Sequence, residues 1–178
     1  MNGIATPALG RTVAWVAQAT QVGTDVNVDI GPASGVVGGA VGAFLTTLVV
    51  GAILVAVAPG YVERTMATVR DEPVESFAYG LFCLVAVVLV AVLLVFTLVG
   101  ILLAIPLGLV AYVVWAVGAA IAFLAIADRL VGREDGWTKP LLVAAGINGA
   151  LALTGVGGIV SFGIGAAGFG AVLRDWLG

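Results

Sequence analysis

The sequence predicts an all-α integral membrane protein with about five membrane helices, one single span followed by two hairpins whose tips are uncharged and glycine-rich. Three observations lead there. Of the 178 residues, 62% are hydrophobic and 10% charged, with a mean hydropathy of +1.22, whereas soluble domains carry about 25% charged residues. The chain holds three charge-free runs, Ile30 to Val62, Ser76 to Ala127 and Pro140 to Leu173. Finally, six of the seven basic residues (Arg64, Arg70, Arg129, Arg133, Lys139 and Arg174) fall in the segments that separate or follow those runs.

Residues 1–34 read as a short surface segment preceding a polytopic membrane domain over 35–178. Thr6 and Pro7 suit an N-cap and first helical position. Leu9, Val13, Trp15 and Val16 supply a short apolar face for a helix lying at headgroup depth, with a disordered tail as the alternative. Val26, Val28 and Ile30 alternate with Asp25, Asn27 and Asp29, as in a strand. The acidic spacing is that of a calcium loop, but the glycine comes one place late at Gly31 and Val36 stands where the twelfth-position Glu would be. "MNGIATPALGR" has no basic region before an apolar core, so it does not read as a cleavable signal peptide.

The first span is expected over about 35–58. Gly35, Gly38, Gly39 and Gly42 place small residues on adjacent stripes, which lets helices approach closely in lipid. Pro59 and Gly60 end it, with Tyr61 at the interface. "ERTMATVRDEPVE" (63–75) reads as a short charged surface helix stopped by Pro73. The second run is 52 residues, from Ser76 to Ala127. As one helix it would be about 78 Å long, more than twice the hydrocarbon thickness. It must double back, and the only turn chemistry inside it is "FTLVGILLAIPLG". The expectation is a helix over 77–97, a turn or kink near 98–106 marked by Thr97, Gly100 and Pro106, and a second helix over 106–127. The third run repeats this design: Thr154, Val156, Gly157 and Ile159 echo Thr97, Val99, Gly100 and Ile101. Short helices over 140–153 and 159–173 then form a tilted hairpin or two half-spans meeting at Gly155 to Gly158, with Thr154, Gly157 and Gly158 at the tip. Gly146 and Gly149 flank Asn148 on a small-residue face, where its amide is expected to bond across helices.

With hairpins, every charged segment after residue 59 shares one side, and the excess of Arg and Lys makes that side cytoplasmic and the N-terminus external. Low Lys with an acidic balance points to a salt-adapted organism. A net charge of -3 argues against nucleic acid, which requires clustered basic residues. There is no histidine, and Cys83 is the single cysteine. The chain shows no phosphate loop, dinucleotide fingerprint, zinc spacing or nucleophile elbow, so no catalytic residue, metal site or cofactor is expected.

The stretch "EPVESFAYGLFCLVAVVLVAVLLVFTLVGILLAIPLGLVAYVVWAVGAAIAFLAIADRLVG" resembles the polytopic membrane domains of archaeal and bacterial proteins related to bactofilins, the polymer-forming cytoskeletal β-helix proteins. Pro73, Phe77, Gly80, Thr97, Gly100 and Ile101 carry the likeness, as does the final "GVGGIVSFGIGAAGFGAVL". Leu102 departs from it, standing where those domains often have Pro, and no β-helix repeats precede the membrane part. The resemblance implies a cytoskeletal or envelope protein as partner. The expected function is a non-enzymatic, self-associating anchor, scaffold or envelope component of the cell membrane, with a small channel or transporter of broken helices as the alternative.

Overall fold

A computed structural model describes residues 32–154 and 156–177. Among these, six helices and no strand occur: α1 (Pro32–Val57), α2 (Pro59–Asp71), α3 (Pro73–Val95), α4 (Leu98–Val131), α5 (Thr138–Ala152) and α6 (Gly157–Leu177). The expected surface helix at Thr6, the alternating segment at Val26 and the whole of the N-terminal segment through Gly31 lie outside the described residues.

Proline sets the first two bends. Ala58 (φ -141°, ψ 59°) and Glu72 (φ -133°, ψ 61°) each leave the helical region immediately before a proline that opens the next helix. The proline ring disfavours helical geometry in the residue before it, and its missing N–H is harmless at a helix start. Pro59 thus begins α2 as well as ending α1. α2 is amphipathic: Val62, Thr65 and Met66 are buried on one face, while Glu63, Arg64 and Asp71 are exposed on the other.

The long run reverses earlier and more tightly than the sequence suggests. The turn is Phe96 and Thr97, not 98–106, and α4 then runs without a break through Pro106 to Val131. Thr97 is extended (φ -118°, ψ 142°), and its side chain accepts the Gly100 N–H at 3.0 Å. This cap starts the helix at Leu98. Pro106 removes only one backbone bond, that to the Leu102 carbonyl, which a long helix tolerates.

α4 is the central element. Its second half, from Val114 to Ala127, holds most of the core, with Val62 and Met66 of α2, Ala144 of α5, and Phe169 and Val172 of α6. The outer face of α3 and the first half of α4 expose Phe82, Leu93, Phe96, Leu102, Ile105 and Leu109. Such a surface suits contact with hydrocarbon. Four helices are long and apolar enough to cross a membrane: α1, α3, α4 and α6. α5, at 15 residues, is about 22 Å long and shorter than the hydrocarbon layer.

Candidate functional site

Backbone approaches backbone where α6 crosses α3 and α4. On α3, Ser76 and Gly80 are four apart. They face Ala166 and Gly170, also four apart, on α6. A Cβ at Gly80 would lie 1.9 Å from the Ala166 carbonyl oxygen, and one at Gly170 would lie 1.9 Å from the Ser76 carbonyl oxygen. On the other side, a Cβ at Gly168 would lie 1.9 Å from the Gly118 carbonyl oxygen, and one at Gly118 would lie 2.5 Å from the Phe169 nitrogen. The backbones touch, so dispersion between main chains replaces side-chain packing. Trp115 closes the crossing toward the tip, stacked near Phe162 at 5.3 Å and Phe169 at 6.0 Å between ring centroids. The sequence points to the glycine-rich final hairpin as a source of contacts but does not single out Gly80 or Gly118 as packing residues, although the paired small-xxx-small spacings are legible there.

The glycines expected to pack divide differently. Gly149 does pack on α1: its Cβ would meet the Ala40 carbonyl oxygen and Phe44 Cβ, each at 3.2 Å. Gly35, Gly38, Gly39, Gly42 and Gly146 have nothing within 4 Å of such an atom. Among the described residues these five make no close approach. Asn148 lies between α1 and α6. Its amide donates to Thr47 Oγ1 at 2.8 Å and to the Ala43 carbonyl at 3.4 Å, and its carbonyl accepts from Ser161 Oγ at 3.2 Å. Such interhelical bonds contribute about 0.6 kcal/mol each in a membrane, with measured values up to about 1.7.

The two reversals share one local geometry. Thr97 Oγ1 donates to the Leu94 carbonyl at 3.1 Å, and Thr154 Oγ1 donates to the Leu151 carbonyl at 2.9 Å. A Cβ at Gly100 would lie 2.0 Å from the Leu94 oxygen, and one at Gly157 would lie 1.5 Å from the Leu151 oxygen. The pattern Leu-x-x-Thr-x-Val-Gly therefore acts the same way twice. The threonine satisfies the last carbonyls of one helix, and the glycine leaves that carbonyl room. Pro106 belongs to neither tip. Gly158 is the second residue of α6 and has open space about it.

At the opposite end the charged segments meet. Asp128, near the end of α4, pairs with Arg70 of α2 and, at 2.9 Å, with Arg133. Arg133 also binds Glu63 at 2.9 Å and lies over the Trp137 ring at 4.5 Å. Arg70 further donates to the Ala125 carbonyl, at 3.1 Å from its closer nitrogen. Arg174 binds Glu72 at 2.7 Å, fastening the end of α6 to the bend before α3. Gly132 (φ 67°) and Gly136 (φ 93°) take the left-handed turns that connect α4 to α5. Beside this network the Tyr61 hydroxyl is buried without a hydrogen-bond partner among the described residues. Burial pushes its phenol above the ordinary tyrosine value.

Among the described residues no three His, Cys, Asp or Glu side chains gather as metal ligands. Taken together, long apolar helices exposed to the surroundings, a backbone-to-backbone crossing and one charged end define a helical, multi-pass membrane protein. The chain belongs to the family described as Domain of unknown function (DUF8173), whose match covers residues 1–177. No curated protein and no solved structure matches it.

Proposed function

We propose that this protein is a non-enzymatic membrane anchor or scaffold that self-associates through α1. The observation carrying this reading is the uncovered glycine face of that helix. A Cβ at Gly35, Gly38, Gly39 or Gly42 would meet nothing within 4 Å among the described residues, and small residues so spaced let a second backbone approach. Gly80, Gly118, Gly168 and Gly170, by contrast, are engaged within the chain. Gly39→Leu is expected to reduce assembly in detergent to monomer while insertion and thermal stability persist, because a Cβ there meets nothing within 4 Å among the described residues. Cross-linking and native gels read the outcome; an unchanged oligomer size, or a wild-type monomer, removes the reading. The resemblance to bactofilin-related membrane domains supports a cytoskeletal or envelope polymer as the further partner.

In this reading the chain crosses the membrane five times, as α1 and the hairpins α3–α4 and α5–α6, with α5 short and tilted. The side carrying Arg64, Arg70, Arg129, Arg133, Lys139 and Arg174 is cytoplasmic. Single cysteines at positions 64 and 134, in a Cys83→Ser background, should react with an impermeant maleimide from one face of sealed vesicles only. Reaction of the two from opposite faces would refute the arrangement.

A channel or transporter is the second reading, favoured by one observation: Thr47, Asn148 and Ser161 form a polar contact across three helices. It stands if vesicles holding the protein conduct a selected ion and Asn148→Leu abolishes that flux. It falls if they conduct no more than empty vesicles.

A further inference from the structure

We propose that the groove between α2, α3, α4 and α6 at the charged end binds one anionic phospholipid, its phosphate on Arg129 and Arg70 and an acyl chain along the apolar floor. The groove has a volume of about 390 Å³, within the roughly 300–1,000 Å³ range of ligand sites. Its mouth is formed by Arg70, Arg129 and Pro73, and its interior includes Phe77, Ile126 and Ile164. No acidic side chain lines it.

The two arginines differ in what they have left to give. Arg70 spends its Nε and one terminal nitrogen on the Ala125 carbonyl and Asp128. That fixes the guanidinium at the rim and leaves its other terminal nitrogen without a partner among the described residues. Arg129 is exposed and has no hydrogen-bond or ion-pair partner among them. Every other Arg and Lys of the charged end, from Arg64 to Arg174, has at least one such partner. An unspent cation above an apolar channel complements a molecule with an anionic head and a hydrocarbon tail. Two arginines present the forked donors that suit phosphate oxygens.

The floor is open for a structural reason. α6 contributes Gly163 and Ala167 there, and a Cβ at Gly163 would meet nothing within 4 Å. The residues that bring α6 against α3 and α4 are Ala166, Gly168 and Gly170. The crossing thus holds the three helices while small residues beside it leave room for a chain. The head sits level with the end of α4, among the ion pairs, where a headgroup phosphate would lie if this end is at a membrane–water boundary. The proposal rests on the membrane reading and is independent of self-association.

The test uses the full chain purified from vesicles of phosphatidylcholine with one-fifth phosphatidylglycerol. Native mass spectrometry reads the lipids retained after mild delipidation. Phosphatidylglycerol should be retained preferentially, at about one molecule per chain. Arg129→Gln should lower that preference roughly fivefold, the effect of about one cationic contact at a membrane surface. Gly163→Leu, whose Cβ has open space and whose isobutyl group would occupy the floor, should reduce retention of either lipid. Inorganic phosphate added to the micelles should fail to displace phosphatidylglycerol, since it supplies no tail. Equal retention of the two lipids, an unchanged preference in Arg129→Gln, or displacement by phosphate alone would each overturn the proposal. Stable incorporation into pure phosphatidylcholine vesicles would show that the membrane reading survives such a failure.

Discussion

Gly170→Ala should destabilise the helical bundle by about 3 kcal/mol, the upper end of ordinary overpacking. The added methyl would lie 1.9 Å from the Ser76 carbonyl oxygen and 2.6 Å from the Gly80 nitrogen. Both are main-chain atoms of α3, so neither can swing aside as a flexible side chain would. Relief requires α6 to move away from α3, which also separates Gly80 from Ala166. Gly168→Ala should behave alike, against the Gly118 carbonyl. The control is Gly163→Ala, seven positions earlier on the same helix and in open space. There the substitution should be neutral or stabilising by up to about 1 kcal/mol, because alanine is the better helix former. Equilibrium unfolding by dodecyl sulfate in mixed micelles separates these cases. Equal stability of Gly170→Ala and Gly163→Ala would mean that the helices do not touch where the structure places them.

How much of this was legible depends on which force sets each feature. The reversals were readable, because a charge-free run of 52 residues from Ser76 to Ala127 cannot cross a bilayer once. Their location was only partly so. Thr97, Gly100 and Pro106 all read as turn chemistry, but a proline within a long lipid-embedded helix costs one hydrogen bond, whereas the Thr97 hydroxyl both accepts from the Gly100 N–H and donates to the Leu94 carbonyl at the turn. Hydropathy located α1, α3, α4 and α6 because it reports the solvent. It says nothing of which glycine faces a helix and which faces lipid. Gly39 and Gly170 occur in equally glycine-rich sequence, yet one is open and the other touches backbone. That difference depends on the pairing of α6 with α3, a contact between residues about 90 apart that local sequence does not encode. The ion pairs were hidden for the same reason. Arg70 and Asp128 are both visible as juxtamembrane charges, but their partnership follows from the way α2 folds back against the end of α4.

That partnership gives the second large effect. Asp128→Asn should cost about 2 kcal/mol and loosen α2 from the bundle before the rest unfolds. The Asp128 side chain is 9% exposed, and its two oxygens serve different arginines, Arg70 and Arg133. Removing one partner from a fully buried pair costs about 3–5 kcal/mol, since the remaining charge stays desolvated. Here the arginines are 30% and 32% exposed, so water recovers part of that cost. Asparagine keeps the size and one acceptor but withdraws the charge that holds two cations side by side. By contrast Lys139→Gln, which breaks an exposed pair with Asp135 four residues away, should change stability by less than about 1 kcal/mol. Hydrogen exchange in micelles should show Asp128→Asn opening residues 59–71 selectively, while α3 and α6 stay protected at the glycine crossing. In a double-mutant cycle, Arg70→Gln should cost less in the Asp128→Asn background than in the wild type, because its principal partner is already gone. Strict additivity of the two would show that the carboxylate does not hold Arg70, leaving α2 to the burial of Val62 and Met66 and to its other polar contacts, Glu63 with Arg133 and Arg70 with the Ala125 carbonyl.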